Sequence, residues 1–302
     1  MKTYNYIPGK KLDGKRVIAL GFFDGVHLGH REIISGAVTM GEKLSLPSAI
    51  FTFISESDGI KGDGRIYSTE KKLELIEQLG IDEAIVADFG TVKNVSAADF
   101  VTDILLGELG CDIALSGDDF RFGKGALGNT ELLRTLLEKN GAELISPSEV
   151  REGGEKISSS RIKKLLTMGD VRKAAELLGS PYFVRSKVRR GLGLGKSFGY
   201  PTVNTEIGEG EISLLSGVYK CSADIDGKTY DALSNVGTCP TVGERKKHIE
   251  TYILGFNGNL YGSNITVKFL DFVRPEIKFE SVNQLTKQIK LDINNTFGSE
   301  DK

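Results

Sequence analysis

Two of the chain's three histidines stand three residues apart in the run Leu20-Gly21-Phe22-Phe23-Asp24-Gly25-Val26-His27-Leu28-Gly29-His30. The run leaves a short apolar segment and enters an amphipathic stretch that predicts a helix. Both imidazoles therefore stand near a helix start, where free backbone N–H groups and the helix dipole attract anions. A ring titrating near its ordinary value of about 6.5 can donate to a phosphate oxygen and gain positive charge as negative charge develops. Gly29 would leave room for a nucleotide to approach the backbone. Ile157-Ser158-Ser159-Ser160-Arg161 brings hydroxyls and a guanidinium to a second predicted helix start, where they could hold a triphosphate; serines there are also ordinary caps. Ser116-Gly117-Asp118-Asp119-Phe120-Arg121-Phe122-Gly123-Lys124-Gly125 follows a predicted strand at the edge where open α/β sheets take ligands, although a glycine-rich run can also be a surface turn.

The second half offers a different set. Arg190-Gly191-Leu192-Gly193-Leu194-Gly195-Lys196-Ser197 invites a P-loop reading, but Arg190 stands where the first glycine of that motif belongs. Pro201 also follows where its helix would begin. A glycine-rich flap over phosphates remains open. In Gly199-Tyr200-Pro201-Thr202-Val203-Asn204, a hydroxyl and an amide two residues apart on an extended chain point to one side. Such oxygens suit Mg²⁺. Glu250, at the start of a predicted strand, could take a proton from an attacking hydroxyl. Taken singly, Glu250, Asn235 and Arg274 also read as ordinary solvated side chains.

The positioning elements follow from periodicity. Strands are predicted at 17–20, 48–53, 83–86, 112–115 and 143–145, with helices near 30–44, 69–79, 96–109 and 131–140. This alternation implies an open parallel sheet with right-handed crossovers. Two short helices, at 158–166 and 170–179, precede Ser180-Pro181. Beyond them Val218, Cys221 and Ala223, then Ile265, Val267 and Phe269, mark antiparallel strands, with Asp226-Gly227 as a hairpin turn. A final helix over 281–295 carries Leu285, Ile289 and Ile293 on one face. The domain boundary is expected at 179–183.

With 302 residues, 39% hydrophobic and 26% charged, the composition is that of a two-domain globular chain. A formal net charge of -2 gives no global attraction to nucleic acid or an anionic membrane. Small-molecule partners are expected, with neither of those surfaces; the oligomeric state is not legible. Cys111, Cys221 and Cys239 lie too far apart for a zinc site or disulfide framework and read as reduced core thiols. The absence of an apolar leader and of an apolar span of about 20 residues predicts a cytoplasmic protein.

Taken in order, these segments resemble the bacterial bifunctional riboflavin kinase and FMN adenylyltransferase family, also called FAD synthetase. The first half carries the resemblance in 21–30, Gly117-Asp118-Asp119-Phe120-Arg121-Phe122-Gly123 and 157–161. The second half carries it in Gly199-Tyr200-Pro201-Thr202-Val203-Asn204, Gly217-Val218-Tyr219, Asn235-Val236-Gly237, Glu250-Thr251, Leu260-Tyr261-Gly262 and Arg274-Pro275-Glu276-Ile277-Lys278-Phe279. The resemblance implies a Rossmann-like nucleotidylyltransferase domain over 1–180. A six-stranded antiparallel β-barrel with a C-terminal helix would follow over 181–302. It implies riboflavin phosphorylation to FMN in the barrel and FMN adenylylation to FAD, with pyrophosphate release, in the first domain. Two ATP sites and Mg²⁺ go with these reactions.

By the same resemblance His27, His30, Ser159 and Arg161 would bind ATP phosphates, and Asp119 would contact the nucleotide or its Mg²⁺. Gly21, Phe22, Asp24 and Phe120 would complete that nucleotide site. Thr202 and Asn204 would hold ATP and Mg²⁺ in the kinase site, bordered by Gly191, Gly195, Lys196, Pro201 and Asn235. Glu250 would be the base, and Arg274 would lie in the flavin-side loop. The chain departs from the family's pattern at Ile54-Ser55-Glu56-Ser57, where a Pro-His-Pro run is common, and at Ala126, Ser160, Lys196 and Tyr252. A monofunctional riboflavin kinase with a degenerate first domain, favoured by the missing Pro-His-Pro run, and a non-catalytic flavin-binding regulator, marked by binding without ADP release, are the alternatives.

Overall fold

The computed structural model describes residues 1–54, 64–190, 195, 199–238 and 247–298. Residue contacts divide the chain into Met1–Ser159 and Ser160–Lys302. The change in sequence texture comes later, at 179–183. The difference arises because a helix before that point, Val171–Leu178, packs against a strand of the second unit. Side-chain periodicity marks where strands begin, not which core a preceding helix joins.

In the first unit, β1 (Lys2–Asn5), β2 (Arg16–Leu20), β3 (Ser48–Phe53), β4 (Glu83–Ala87), β5 (Cys111–Leu115) and β6 (Glu143–Ile145) form a parallel sheet in the order β1-β4-β3-β2-β5-β6. Along β2 every residue is buried. Ile18 and Leu20 enter one apolar cluster with Ala49 and Phe51, whereas Val17 and Ala19 enter another with Ile50. The sheet is thus covered on both faces, as parallel sheets require. The edge strand β1 has no counterpart among the expected elements, because Lys2, Thr3 and Asn5 are exposed and leave no apolar alternation to read.

The connecting helices are α1 (Leu28–Leu44), α2 (Thr69–Glu77), α3 (Phe89–Val92), α4 (Ala97–Asp99) and α5 (Thr130–Lys139). The helix expected near 96–109 continues from α4 as a π-helix over Phe100–Glu108. After α5, Gly141 adopts the expected left-handed conformation, with φ of 79°. A small hairpin, β7 (Arg151–Glu152) and β8 (Glu155–Lys156), closes the unit. Because β3 and β4 extend to one side of β2 and β5 to the other, the order of strand addition reverses between the parallel strands β2 and β5. Ligand crevices open beyond the carboxyl ends of strands at such a point.

The second unit contains α6 (Ser159–Thr167) from its second residue on, and α7 (Val171–Leu178). Asp170 caps α7 by accepting from the Lys173 N–H at 3.0 Å, and Gly179 ends it in a left-handed conformation. Strands β9 (Phe183–Lys187), β10 (Thr202–Glu206), β11 (Gly217–Ile225), β12 (Lys228–Thr238), β13 (Lys247–Ile253) and β14 (Asn264–Pro275) pair antiparallel in the order β10-β13-β12-β11-β14-β9. Asp226 and Gly227 join β11 to β12 with φ of 47° and 78°, the doubly left-handed turn that suits a twisted hairpin. The two edges nearly meet: the Arg189 N–H donates to the Asn204 carbonyl at 2.9 Å, and the Glu206 N–H to Ser186 Oγ at 3.4 Å. A six-stranded, nearly closed barrel results. The C-terminal helix, Val282–Phe297, lays Ile289, Ile293 and Phe297 against Val218 and Leu233. Cys111 and Cys221 are buried free thiols, and Cys239 lies outside the described residues.

Arg16 anchors the start of β2 from within the core. Its guanidinium donates to Glu83 Oε2 at 3.1 Å, to the Asp13 carbonyl at 3.0 Å and to the Leu109 carbonyl. Removing one partner of a buried pair leaves the other charge unsatisfied, at roughly 3–5 kcal/mol. Arg16→Ala is expected to lower amide-exchange protection of β2 and β5 by that amount; a change below about 1 kcal/mol would contradict the assignment.

Candidate active sites

The loop between β2 and α1 is shaped by packing before it does any chemistry. Gly21 makes room for the Phe23 ring, since a Cβ at Gly21 would lie 2.8 Å from it. Phe23 and Val26 hold φ of 55° and 46°, conformations that non-glycine residues adopt only when their surroundings enforce them. Asp24, 3% exposed, accepts from the Ile66 N–H at 2.8 Å, and its carbonyl accepts from Ser159 Oγ at 2.9 Å. Asp24 and the start of α6 are therefore fastened together. Ser159 spends its hydroxyl proton on this contact.

His27 caps α1: its Nδ1 accepts the His30 N–H at 3.3 Å. An accepting Nδ1 leaves the proton of a neutral imidazole on Nε2, which can donate. The two rings stack with centroids 3.5 Å apart, and Phe23 meets the His30 ring edge-on at 5.4 Å. A Cβ at Gly29 would lie 3.3 Å from the His27 ring, so the glycine lets that ring pack close against the backbone.

The expectation that these rings titrate near 6.5 is corrected. Burial pushes His27 down to about 4, against the opposing charge of Asp119. Burial, then His27 and the Lys72 cation, hold His30 well below the usual range. His30 Nδ1 is buried without a hydrogen-bond partner. Near neutral pH the pair is uncharged.

Asp119 is exposed and ion-paired to Lys156 at 2.9 Å; Lys156 also reaches Glu149 at 3.3 Å. Burial alone would lower the Lys156 ammonium, but its bonds to the two carboxylates outweigh that and raise it. Phe120 packs against the core and stacks on Phe122 at 5.7 Å. Arg161 stands two residues past Ser159 and is counted with the second unit. Phe22 contributes its carbonyl, which receives Thr52 Oγ1 at 3.0 Å and Lys72 Nζ at 3.1 Å. Lys72, Lys156 and Glu149 carried no signal in the sequence, where each is one charge among many.

In the second unit, register does the assembling. Asn204 pairs with Glu250, Glu250 with Asn235, Asn235 with Val218, and Val218 with Arg274. Directly opposed residues share a face, so five strands present one continuous row. Thr202, two residues before Asn204, shares its face. Thr202, Asn235, Glu250 and Arg274 border a cavity of about 330 Å³ whose apolar wall includes Tyr200, Tyr252, Phe279 and Leu285. That volume is in the range of small-molecule sites, roughly 300–1,000 Å³. Among the described residues Glu250 is exposed and has no hydrogen-bond or ion-pair partner.

Arg274 lies in β14 rather than in a loop. It grips Asp292 of the C-terminal helix through Nε at 3.0 Å and Nη2 at 2.8 Å. Asp292, 3% exposed, also accepts from Gln288 at 2.8 Å. Gly195 is sterically required, since a Cβ there would collide with the Tyr200 carbonyl. Pro201 is exposed just before β10. Gly191 and Lys196 lie outside the described residues, as do Ser55, Glu56 and Ser57.

The family pattern described as FAD synthetase matches residues 9–161, and that described as riboflavin kinase matches residues 178–298. The bifunctional riboflavin kinase/FMN adenylyltransferase of Bacillus subtilis is 34% identical over 293 residues, covering 94% of this chain and 92% of that protein. The Escherichia coli K12 protein of the same description is 31% identical over 282 residues, covering 91% and 90%. A crystal structure described as a macrolide-efflux protein from Streptococcus pneumoniae matches with a TM-score of 0.88 at 28% identity, covering 99% of this chain and 100% of its own. Among the described residues of this chain, no helix is long and apolar enough to cross a membrane.

The histidine pair sets a pH dependence. A folded value near 4 for His27 against an unfolded 6.5 means that the unfolded chain binds more protons between them. The contribution is therefore fully present above 6.5 and is lost as pH falls toward 4. Urea denaturation of the first unit should show this decline, and His27→Asn, which keeps a capping oxygen, should reduce it. A His27 ring signal titrating at 6 or above in NMR would contradict the burial argument.

Proposed function

The chain belongs to the bifunctional riboflavin kinase/FMN adenylyltransferase family, and from that premise we propose which of its residues perform each reaction. The enzyme phosphorylates riboflavin to FMN, then joins FMN to the adenylyl group of a second ATP, giving FAD and pyrophosphate. The observation that carries the assignment is the unpaired Glu250 carboxylate, flanked by Asn204 and Asn235 in one register row beside the cavity.

In the kinase reaction Glu250 accepts the proton of the riboflavin 5′-hydroxyl as that oxygen attacks the γ-phosphorus of ATP. Thr202 and Asn204 hold the triphosphate. The apolar wall, with Tyr200, Tyr252 and Phe279, suits the flavin ring. The described residues contain no cluster of three or more His, Cys, Asp or Glu fit to hold a metal. Mg²⁺ keeps water and substrate phosphates and takes only one or two protein oxygens; the Thr202 hydroxyl and the Asn204 amide oxygen, two residues apart on β10, are donors of that kind. When bound, the ion would neutralise charge between the β- and γ-phosphates.

In the adenylyl transfer an FMN phosphate oxygen attacks the α-phosphorus of ATP, and no covalent enzyme intermediate is required. The chain aligns two anions and stabilises the departing pyrophosphate through the Nε2–H of His27, the His30 ring and the first turn of α1. Neutral rings at rest still donate, each through its one N–H. They become more basic as phosphate charge arrives. Asp119, already paired with Lys156, serves in this reading to hold that lysine at the site rather than to bind a metal. The free thiols Cys111 and Cys221 suit a reducing, cytoplasmic setting.

Chromatography of flavins after incubation with riboflavin, ATP and Mg²⁺ tests the division of labour. His30→Ala should accumulate FMN, with FAD formation slowed roughly 10²–10³-fold. Glu250→Ala should lose about 10²–10⁴-fold in FMN formation yet convert supplied FMN to FAD normally. FAD formation by His30→Ala at the wild-type rate would remove the histidines from the mechanism.

A further inference from the structure

Lys72, on α2, is fully buried. Its ammonium donates to the Phe53 carbonyl at 2.6 Å, the Phe22 carbonyl at 3.1 Å and Thr52 Oγ1 at 3.3 Å, and lies 4.6 Å from the centre of the Phe22 ring. A buried ammonium is expensive to desolvate, and an apolar side chain of similar length would fill the space without that cost. The charge is placed where it can act on backbone. Phe53 ends β3, and Phe22 lies just beyond the end of β2, at the mouth of the crevice.

The residues on either side of Phe23 are both tied down. Phe22 is held through its carbonyl by Lys72 and by Thr52 Oγ1 at 3.0 Å, and Asp24 through its carboxylate by the Ile66 N–H at 2.8 Å. Between these anchors Phe23 is held at φ of 55°. A left-handed aromatic residue persists only where its neighbours over-determine it. Its ring meets His30 edge-on at 90°, and His30 stacks on His27.

We infer that Lys72 is a positioning residue for adenylyl transfer: by fixing the Phe22 carbonyl it holds Phe23 in its left-handed turn and so sets the ring of His30. This rests on the assignment of the histidine pair given above. The groups that act electrostatically on His30 are His27 and Lys72, while Asp119 and Lys156 act on His27. Loss of the Lys72 charge should therefore move the His30 titration upward as well as loosen the ring.

The test uses the full chain supplied with FMN, ATP and Mg²⁺. Lys72→Met should lower kcat for FAD formation about 10–100-fold, the scale of a misplacement near 1 Å, with KM for either substrate little changed. Its His30 ring signal should titrate at higher pH while α1 amide protection stays as in wild type, which separates loss of the Lys72 charge from exposure of the ring by unfolding. Because Lys72→Met could also unfold the first unit, Thr52→Val supplies a milder break at the same carbonyl and should slow FAD formation several-fold with α1 amide protection intact. If Lys72→Met keeps kcat within twofold, or if Thr52→Val is indistinguishable from wild type, the inference fails. His30→Ala run alongside separates the two levels. A slow His30→Ala with a normal Lys72→Met overturns only the role of Lys72, whereas a normal His30→Ala overturns the histidine assignment beneath it.

Discussion

A parallel sheet buried on both faces can offer polar chemistry only at the ends of its strands, and the first unit is organised around that constraint. Every side chain of β2 is buried, so nothing along the strand can meet a charged substrate. The chain emerges at the reversal between β2 and β5, turns within a few residues and starts α1. That short passage must expose hydrogen-bond donors while its own backbone stays anchored. Left-handed turns at Phe23 and Val26 are the geometric consequence. The same burial that makes the turn rigid also dehydrates the two imidazoles. Their neutrality and their placement therefore have one cause.

The second unit meets a similar chemical demand by the opposite route. An antiparallel sheet can carry function along the strands, because one face needs no covering by crossover helices. Here in-register pairing sets Asn204, Glu250, Asn235 and Arg274 in a single row with Val218. The C-terminal helix closes part of that face and brings Asp292 onto Arg274. With the guanidinium so engaged, Glu250 keeps no cationic partner among the described residues, which is the condition a base needs. The Arg274–Asp292 pair thus acts in packing and in electrostatics together.

What was legible in the sequence follows from how local each feature is. His27, His30 and the helix they open lie within a few residues, and strand-to-helix context plus anion chemistry suffices to find them. Asp226-Gly227 and Gly141 are local too, and each adopts the conformation that its residue type favours. The row across the barrel is illegible without register, because 204, 218, 235, 250 and 274 share no spacing; only the family resemblance assembled most of them. Lys72, Lys156 and Asp292 escaped for the same reason. Strand β1 escaped because an exposed edge writes no apolar alternation.

One expectation failed on physics rather than distance. The pKa near 6.5 assumed a solvated imidazole. Motif reading supplies the residue type but not its dehydration, and for an ionisable group dehydration decides the charge. A site for two anionic reactants would be expected to carry permanent positive charge. The first unit keeps the Lys156 ammonium within two carboxylates, leaves its histidines neutral and binds the buried Lys72 cation to backbone carbonyls. A fixed cation in contact with phosphate would favour bound reactants as much as the transition state. In the proposed adenylyl transfer, donors that gain charge only as the leaving group does would favour the transition state selectively, the kind of binding that accelerates a reaction.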